Sequence, residues 1–263
     1  MVNLYFVPTP IGNLDDMTIR GVETLKASDV IYSSDIEETK KLLSYYKIDK
    51  PLYCYKGKEL EVIELLKNKT ISIVSFEGYS GIDEESHKIC TMAIQNGFSV
   101  EIIPGPNYLL TGLVSSGIPC DKFLYYGYIE REEDLKEIID FDKTLVFFSG
   151  FDKVERDLAS LESNLGSRDA VLCLNLTKED EKFIRFTLGE KVHIDETNSK
   201  IVIVISGAKI KSETKMLNDL DINLHYDYYL KQGFDNKEAM KKVAKDRGVS
   251  KSDIYRMING KKE

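Results

Sequence analysis

The chain has 263 residues, of which 42% are hydrophobic and 30% are charged, and its formal net charge is -8. This length suits one large domain or two medium ones with a buried core, and the composition is typical of a globular protein. The excess of acidic residues disfavours a protein that coats nucleic acid by bulk charge, although it leaves a local basic patch open.

Several classes of protein are disfavoured by what the sequence lacks. The best apolar run, 201–205, is far short of the roughly 18 residues needed to cross a bilayer, and the first residues lack the basic region of a signal peptide. The four cysteines are scattered, the three histidines form no H-x-x-x-H pair, and no G-x-S-x-G motif occurs. We therefore expect a cytoplasmic protein with reduced thiols, no membrane segment and no metal.

Short apolar runs alternate with helical patterns along the first part of the chain. The predicted strands are 4–7, 30–32, Pro51–Tyr55, Ile71–Ser75 and Ser99–Ile103. The predicted helices are 17–26, capped by Asp15 or Asp16, then Glu38–Tyr46, Glu59–Asn68, and Glu84–Asn96, which Gly97 closes. This order predicts an α/β domain with a mainly parallel sheet.

A turn-rich segment, 115–119, marks the passage to a second domain in which strands and helices alternate again. The predicted strands there are Phe123–Tyr126, Thr144–Phe148, Ala170–Leu176 and Lys200–Ser206, and the predicted helix is Lys153–Asn164. The fold class expected from the whole pattern is therefore α/β with two domains.

The end of the chain differs from the rest in charge. Residues 231–263 hold ten basic and five acidic residues, a net charge of +5, which leaves -13 for residues 1–230. The pattern predicts a helix over Asn236–Arg247, stopped by Gly248, and a second short helix through Ile258 capped by Ser250 or Ser252. Two helices around a glycine turn are typical of a helix-turn-helix, but we favour the simpler interpretation of a helical appendage docked by its apolar stripe.

Three loops that contain glycine or proline follow predicted strands: Pro8–Asn13, 76–81 and Pro104–Asn107. In an open α/β sheet ligands bind at the carboxyl ends of strands, and glycine lets the backbone approach a ligand closely. None of the three is a G-x-G-x-x-G or Walker motif, and each one alone is typical of an ordinary turn. Together they indicate a candidate ligand site.

The sequence of these loops resembles that of a known family. Residues 4–20 are similar to the opening of the bacterial small-subunit rRNA cytidine 2'-O-methyltransferases, which belong to the tetrapyrrole methylase superfamily. Further similarities, in the family's order, occur at Asp35 with 39–43, at 103–106, 111–119, 123–127, 176–181 and 238–256. They span essentially the whole chain.

The resemblance implies two α/β domains of tetrapyrrole-methylase type facing a cleft, at 1–117 and 118–221, and a helical basic tail at 222–263. It implies S-adenosyl-L-methionine in that cleft, a homodimer, and methyl transfer to a ribose 2'-hydroxyl of a cytidine in small-subunit rRNA or a ribosomal particle. The residue it proposes for catalysis is Asp35. The residues it proposes for the cofactor are Pro10, Ile11, Gly12, Phe76, Gly78, Tyr79, Gly105, Asn107 and Tyr108.

The sequence departs from the family's pattern at polar positions of the expected site. In the loop that reads S-D-A-G-T-P in the family, Phe76 replaces the aspartate, and Asn107-Tyr108 replaces the S-A that follows P-G-P. The segment 148–153 lacks the Glu, Pro, His and Arg of the family's Y-E-S-P-H-R. Because a polar network normally keeps its partners together, several simultaneous losses indicate a changed or lost activity.

Two further functions therefore stay open: a catalytically silent relative that binds RNA or a ribosomal particle, and a methyltransferase for a small molecule such as a tetrapyrrole. The opening motif and the C-terminal helices disfavour the second. Asp35 could serve as a base or cap the next helix, and Glu77 could replace the missing loop aspartate. Lys178 and Arg185 could contact an RNA phosphate or be solvated surface charges.

Overall fold

The computed structural model describes residues 3–197, 199–208, 217–218 and 220–259. The chain divides into two compact units, Met1–Ala208 and Lys209–Glu263. The first unit contains two five-stranded sheets, and the second unit, where it is described, is helical.

The first sheet is parallel throughout, which confirms the prediction of a mainly parallel sheet. Its strands are β1 (Leu4–Phe6), β2 (Val30–Ser33), β3 (Leu52–Cys54), β4 (Ile71–Val74) and β5 (Val100–Ile102), and its helices are α1 (Ile19–Ala27), α2 (Ile36–Tyr45), α3 (Glu59–Leu65), α4 (Glu84–Gln95) and α5 (Tyr108–Ser116). The strands pair in the order β3-β2-β4-β1-β5. Every residue of β2 and β4 is buried, as expected for inner strands covered on both faces.

Capping side chains determine where these helices begin. The Asp35 carboxylate accepts a hydrogen bond of 3.0 Å from the third backbone N–H of α2, and Asp83 caps α4 in the same way. The cap predicted for α1 was wrong. Thr18 caps that helix, because Asp15 and Asp16 belong to a separate 3₁₀ turn that ends before the helix begins.

Helix α5 was not predicted, because it is apolar on most of its surface and therefore lacks a helical period. It packs closely on the second half of the unit. A Cβ added at Gly112 would lie 2.8 Å from the Val202 side chain, so only glycine permits this approach. The helix ends at Gly117, whose φ of 74° is left-handed.

The second sheet is mixed. Its strands are β6 (Phe123–Tyr128), β7 (Thr144–Ser149), β8 (Asp169–Leu174), β9 (Lys182–Thr187) and β10 (Ile201–Ile205), and α6 (Val154–Leu165) packs on one face. They pair in the order β6-β7-β10-β8-β9, with β6 and β7 parallel and the other pairs antiparallel. Strand β9 was not predicted, because it is a partly exposed edge strand that carries charged residues.

Strand β10 joins two hydrophobic cores. Ile201, Ile203 and Ile205 face the core beneath α6, while Val202 and Val204 face a core that includes the loop after β1 and helix α5. This alternation follows from the two-residue period of a strand. The two halves of the first unit therefore share buried apolar surface.

The second unit contains α7 (Ile222–Lys231), α8 (Asn236–Arg247) and α9 (Lys251–Asn259), which pack around a small apolar core. The bounds of α8 match the prediction, Gly248 has a left-handed φ of 65°, and the Ser250 hydroxyl accepts a hydrogen bond from the first turn of α9. No helix in the described ranges is long and apolar enough to cross a membrane.

A buried polar network joins α7 to α8. His225 is fully buried, and its Nδ1 accepts a hydrogen bond of 3.2 Å from Arg247 Nε. Because a guanidinium only donates, the imidazole proton must lie on Nε2, which is 3.3 Å from the Asp246 carboxylate. Burial lowers the pKa of His225, so the network contains the neutral imidazole.

Candidate functional site

The three loops identified from the sequence meet at one edge of the first sheet. They follow β1 (first loop, Pro8–Asn13), β4 (second loop, 76–81) and β5 (third loop, Pro104–Asn107), and β4, β1 and β5 are neighbours. Thr9 and Gly78 exchange two backbone hydrogen bonds of 3.0 Å, which tie the first loop to the second. The Tyr79 hydroxyl accepts a hydrogen bond of 3.1 Å from Gly105 N–H, which ties the second to the third.

The first loop also packs against the segment that follows β8. A Cβ added at Gly12 would lie 2.4 Å from the Leu176 carbonyl oxygen, and Asn13 N–H donates to the Thr177 hydroxyl at 3.0 Å. Thr177 itself has a left-handed φ of 64°, which is strained for a β-branched residue. This close contact fixes the position of the first loop relative to the second sheet.

Tyr108 closes the space between the first and third loops. Its side chain is 3% exposed, and its hydroxyl donates to the Ile11 carbonyl at 2.7 Å. Burial raises the pKa of this phenol, so it remains a donor. Tyr108 thus serves as packing between the loops while one side of it lines a cavity.

Three cavities adjoin the loops. The main cavity, about 450 Å³, is lined by residues of both halves of the unit: Ser34, Tyr55, Lys56, Ser75, Phe76, Glu77, Gly78, Tyr79, Ile82, Asp83, Glu85, Asn107, Tyr108, Leu109, Tyr125, Tyr128, Glu130, Phe148 and Lys200. A second cavity of about 500 Å³ lies towards 149–153, and a third of about 290 Å³ lies between the first loop and α2. Phe76 and Glu77 line all three, so the second loop stands where the cavities converge.

Glu77 is half-buried at this convergence. Burial raises the pKa of its carboxyl, while the Tyr108 hydroxyl and the charge of Lys200 partly oppose that shift. A carboxyl in such surroundings suits a role in binding a cation or in exchanging a proton.

Lys200 and Tyr128 line both the main and the second cavity, and the sequence did not identify Lys200 as a site residue. Lys200 Nζ lies 5.2 Å from the ring centre of Tyr108 and 4.8 Å from that of Phe148. Burial lowers the pKa of Lys200 and raises the pKa of Tyr128 to about 12. The only feature of the sequence that could have indicated Lys200 is its position directly before the apolar strand β10. That feature alone is weak evidence for a site residue.

The predicted cofactor residues fall into three groups. Phe76, Gly78, Tyr79, Asn107 and Tyr108 line the main cavity. Pro10 and Gly12 line the third cavity. Ile11 and Gly105 lie behind the walls, in contact with Tyr108 and Tyr79 respectively.

The residues predicted to handle protons or RNA have partners within the chain. Asp35 caps α2 and does not line any of the three cavities. Lys178 donates to the Ser199 hydroxyl at 2.6 Å, and Arg185 donates to the Ser115 carbonyl at 3.2 Å. These contacts give each residue a structural role. Whether Asp35 also takes a proton, and whether Lys178 and Arg185 also bind RNA, are questions for experiment.

Comparison with known proteins identifies the family. Residues 3–192 match the family described as Tetrapyrrole (Corrin/Porphyrin) Methylases. The chain belongs to this family of methyltransferases. A solved structure of uroporphyrin-III C-methyl transferase from Thermus thermophilus, complexed with S-adenyl homocysteine, is 17% identical. The match covers 77% of this chain and 91% of that one with a TM-score of 0.55, which shows the shared fold.

Two relatives are similar over nearly the whole chain, and both are named Ribosomal RNA small subunit methyltransferase I. The one from Halalkalibacterium halodurans is 36% identical over 273 residues, covering 97% of this chain and 94% of the relative. The one from Bacillus subtilis is 34% identical over 269 residues, covering 96% and 92%. The family resemblance and the α/β fold expected from the sequence are therefore confirmed.

Proposed function

We propose that the protein is an S-adenosylmethionine-dependent methyltransferase of small-subunit ribosomal RNA, and that its acceptor is the ribose 2'-hydroxyl of a cytidine. The observation that carries this proposal is the similarity, over 97% of the chain, to a relative named as a small-subunit rRNA methyltransferase. The convergence of three cavities on the second loop supports it, because a transfer reaction needs a place where donor and acceptor meet.

The main cavity fits S-adenosylmethionine in size and chemistry. Its volume of about 450 Å³ lies within the range of ligand pockets, roughly 300–1,000 Å³. The aromatic rings of Phe76, Tyr108 and Tyr128 offer faces for an adenine or a sulfonium group. When bound, the cofactor supplies an electrophilic methyl group.

A 2'-hydroxyl that receives a methyl group must lose its proton, so the chain needs to orient that hydroxyl and provide an acceptor. Asp35 is the acceptor proposed from the family resemblance, and Glu77 is the carboxyl that faces the converging cavities. The variant Asp35→Asn separates the two roles of Asp35, because asparagine still caps a helix but cannot take the proton. Loss of transfer with unchanged stability would assign the proton to Asp35.

The second unit offers a surface for the RNA backbone. Lys237, Lys241 and Lys245 are exposed on α8 and spaced four residues apart, so they form one stripe. Ammonium groups in a row bind successive phosphates without reading sequence. Replacing all three with glutamine should weaken RNA binding and flatten its salt dependence while leaving S-adenosylhomocysteine binding unchanged.

The decisive experiment is methyl transfer in vitro. Small subunits from a strain that lacks this methylation are incubated with the purified protein and S-adenosylmethionine carrying a deuterated methyl group. Mass spectrometry of the digested RNA should show one labelled 2'-O-methylcytidine. A label on a base or on another nucleoside would refute the assigned acceptor.

A catalytically silent RNA-binding relative is the second candidate, and the position of Tyr108 favours it. A larger side chain replaces the family's alanine there, and its hydroxyl donates a hydrogen bond to the Ile11 carbonyl. This candidate predicts binding to the small subunit without transfer. Transfer of label to the RNA would exclude it.

A further inference from the structure

Lys200 is a half-buried cation that forms no ion pair with a described residue, although the charges of Glu77 and Asp83 act on it from a longer distance. Across the described residues, no carboxylate oxygen lies within 4.0 Å of its Nζ, and its close contacts are the faces of Tyr108 and Phe148. A charge removed from water normally has a paired anion, because desolvation is otherwise uncompensated. No described carboxylate contacts the ammonium directly, so its place at the cavity leaves it available to an anionic group of a ligand.

The position of Lys200 places its ammonium at the main cavity. The residue directly precedes β10, an inner strand of the second sheet, so its backbone is held rigidly. Its side chain lines the main cavity together with Asn107 and Tyr108 of the α5 N-terminus. The amine thus faces the compartment that fits S-adenosylmethionine.

The charge of the main cavity selects the kind of ligand. Four carboxylates, those of Glu77, Asp83, Glu85 and Glu130, line it against the two ammonium groups of Lys56 and Lys200. Such a wall repels a polyanion and favours a ligand with net positive charge. S-adenosylmethionine has one sulfonium, one ammonium and one carboxylate, so it combines a net positive charge with a single anionic group.

We infer that Lys200 binds the carboxylate of the amino-acid end of S-adenosylmethionine. The inference rests on the proposed function and deepens it by assigning a contact to a residue that the family resemblance did not identify. Glu77, on the same cavity wall, supplies the opposite charge for the cationic groups of that end. The phosphate of an RNA chain is the competing anion, and the acidic wall disfavours it.

Truncating the ligand and the side chain together tests this contact. Isothermal titration calorimetry measures S-adenosylhomocysteine and 5'-methylthioadenosine, which lacks the amino-acid end, against the wild type and Lys200→Met. Methionine keeps an unbranched apolar chain between the two rings, so the cavity wall is retained. The matched control is Lys182→Met, which removes a lysine that is ion-paired to Asp195 at 2.7 Å and does not line the main cavity.

We expect Lys200→Met to weaken S-adenosylhomocysteine about 10- to 100-fold, the effect of one charge-assisted hydrogen bond, while 5'-methylthioadenosine changes less than about 3-fold. Lys182→Met should leave both affinities unchanged. Equal losses for the two ligands, or no loss for either, would overturn the inference.

Two further results would also overturn it, for different reasons. Unchanged S-adenosylhomocysteine affinity with weakened binding of small-subunit RNA would assign Lys200 to a phosphate. Failure of the folded wild type to bind either ligand would refute the proposed function itself, and the inference with it.

Discussion

Replacing Tyr108 with phenylalanine removes one hydroxyl from the wall of the main cavity and leaves the ring in place. That hydroxyl donates to the Ile11 carbonyl at 2.7 Å, and both residues are almost fully buried, at 3% and 1% exposure. A buried acceptor left without a donor costs about 1–3 kcal/mol. We therefore expect the free energy of unfolding of Tyr108→Phe to be lower by about 1.5 kcal/mol.

Urea titration followed by far-ultraviolet circular dichroism measures this difference. The control is Tyr53→Phe, since Tyr53 is 46% exposed and its hydroxyl makes no hydrogen bond to any described residue. The control should change the free energy of unfolding by less than about 0.5 kcal/mol. If the two variants are equally stable, the Tyr108 hydroxyl does not hold the first and third loops together.

Three further predictions concern stability. Asp35→Ala should lower the free energy of unfolding by about 1 kcal/mol and Asp35→Asn by only a few tenths, since asparagine retains the cap; urea titration of both checks this. Gly12→Ala should cost more than about 1 kcal/mol by the same measurement, because its Cβ would lie 2.4 Å from the Leu176 carbonyl oxygen. The pKa of His225 is lower in the folded state than in the unfolded chain. As the pH drops below about 6.5, the unfolded chain therefore takes up a proton at this histidine before the folded protein does, and the free energy of unfolding should fall. Thermal melts between pH 8 and 5 should show this fall in the wild type and a smaller one in His225→Gln.

The loops of the candidate site could be predicted because each directly follows a short apolar strand. Parallel strands bring their carboxyl ends to one edge, so strand order alone places the first and second loops together. Helix α5 escaped prediction for the opposite reason: apolar residues occupy most of its surface, the exposed side included, so its sequence shows no helical period. The domain boundaries at 117 and 221 stay predictions.

Lys200 could not be predicted as a site residue, because its role depends on contacts between distant parts of the chain. The ammonium of Lys200 lies against the rings of Tyr108 and Phe148, which belong to a helix and a strand far from it in sequence. Glu77 was identified as a substitute for the missing loop aspartate, and it lines the cavities as that hypothesis required. The family's sequence motifs indicate which loops form the candidate site. Which side chains face the cavity depends on the packing of the folded chain.

The most direct test of the proposed activity is ribose methylation mapping of small-subunit rRNA in the source organism. The map of a strain with this gene deleted is compared with that of the same strain carrying the gene on a plasmid. The proposed function predicts that one cytidine loses its 2'-O-methyl group on deletion and regains it on complementation. Identical maps in the two strains would contradict it.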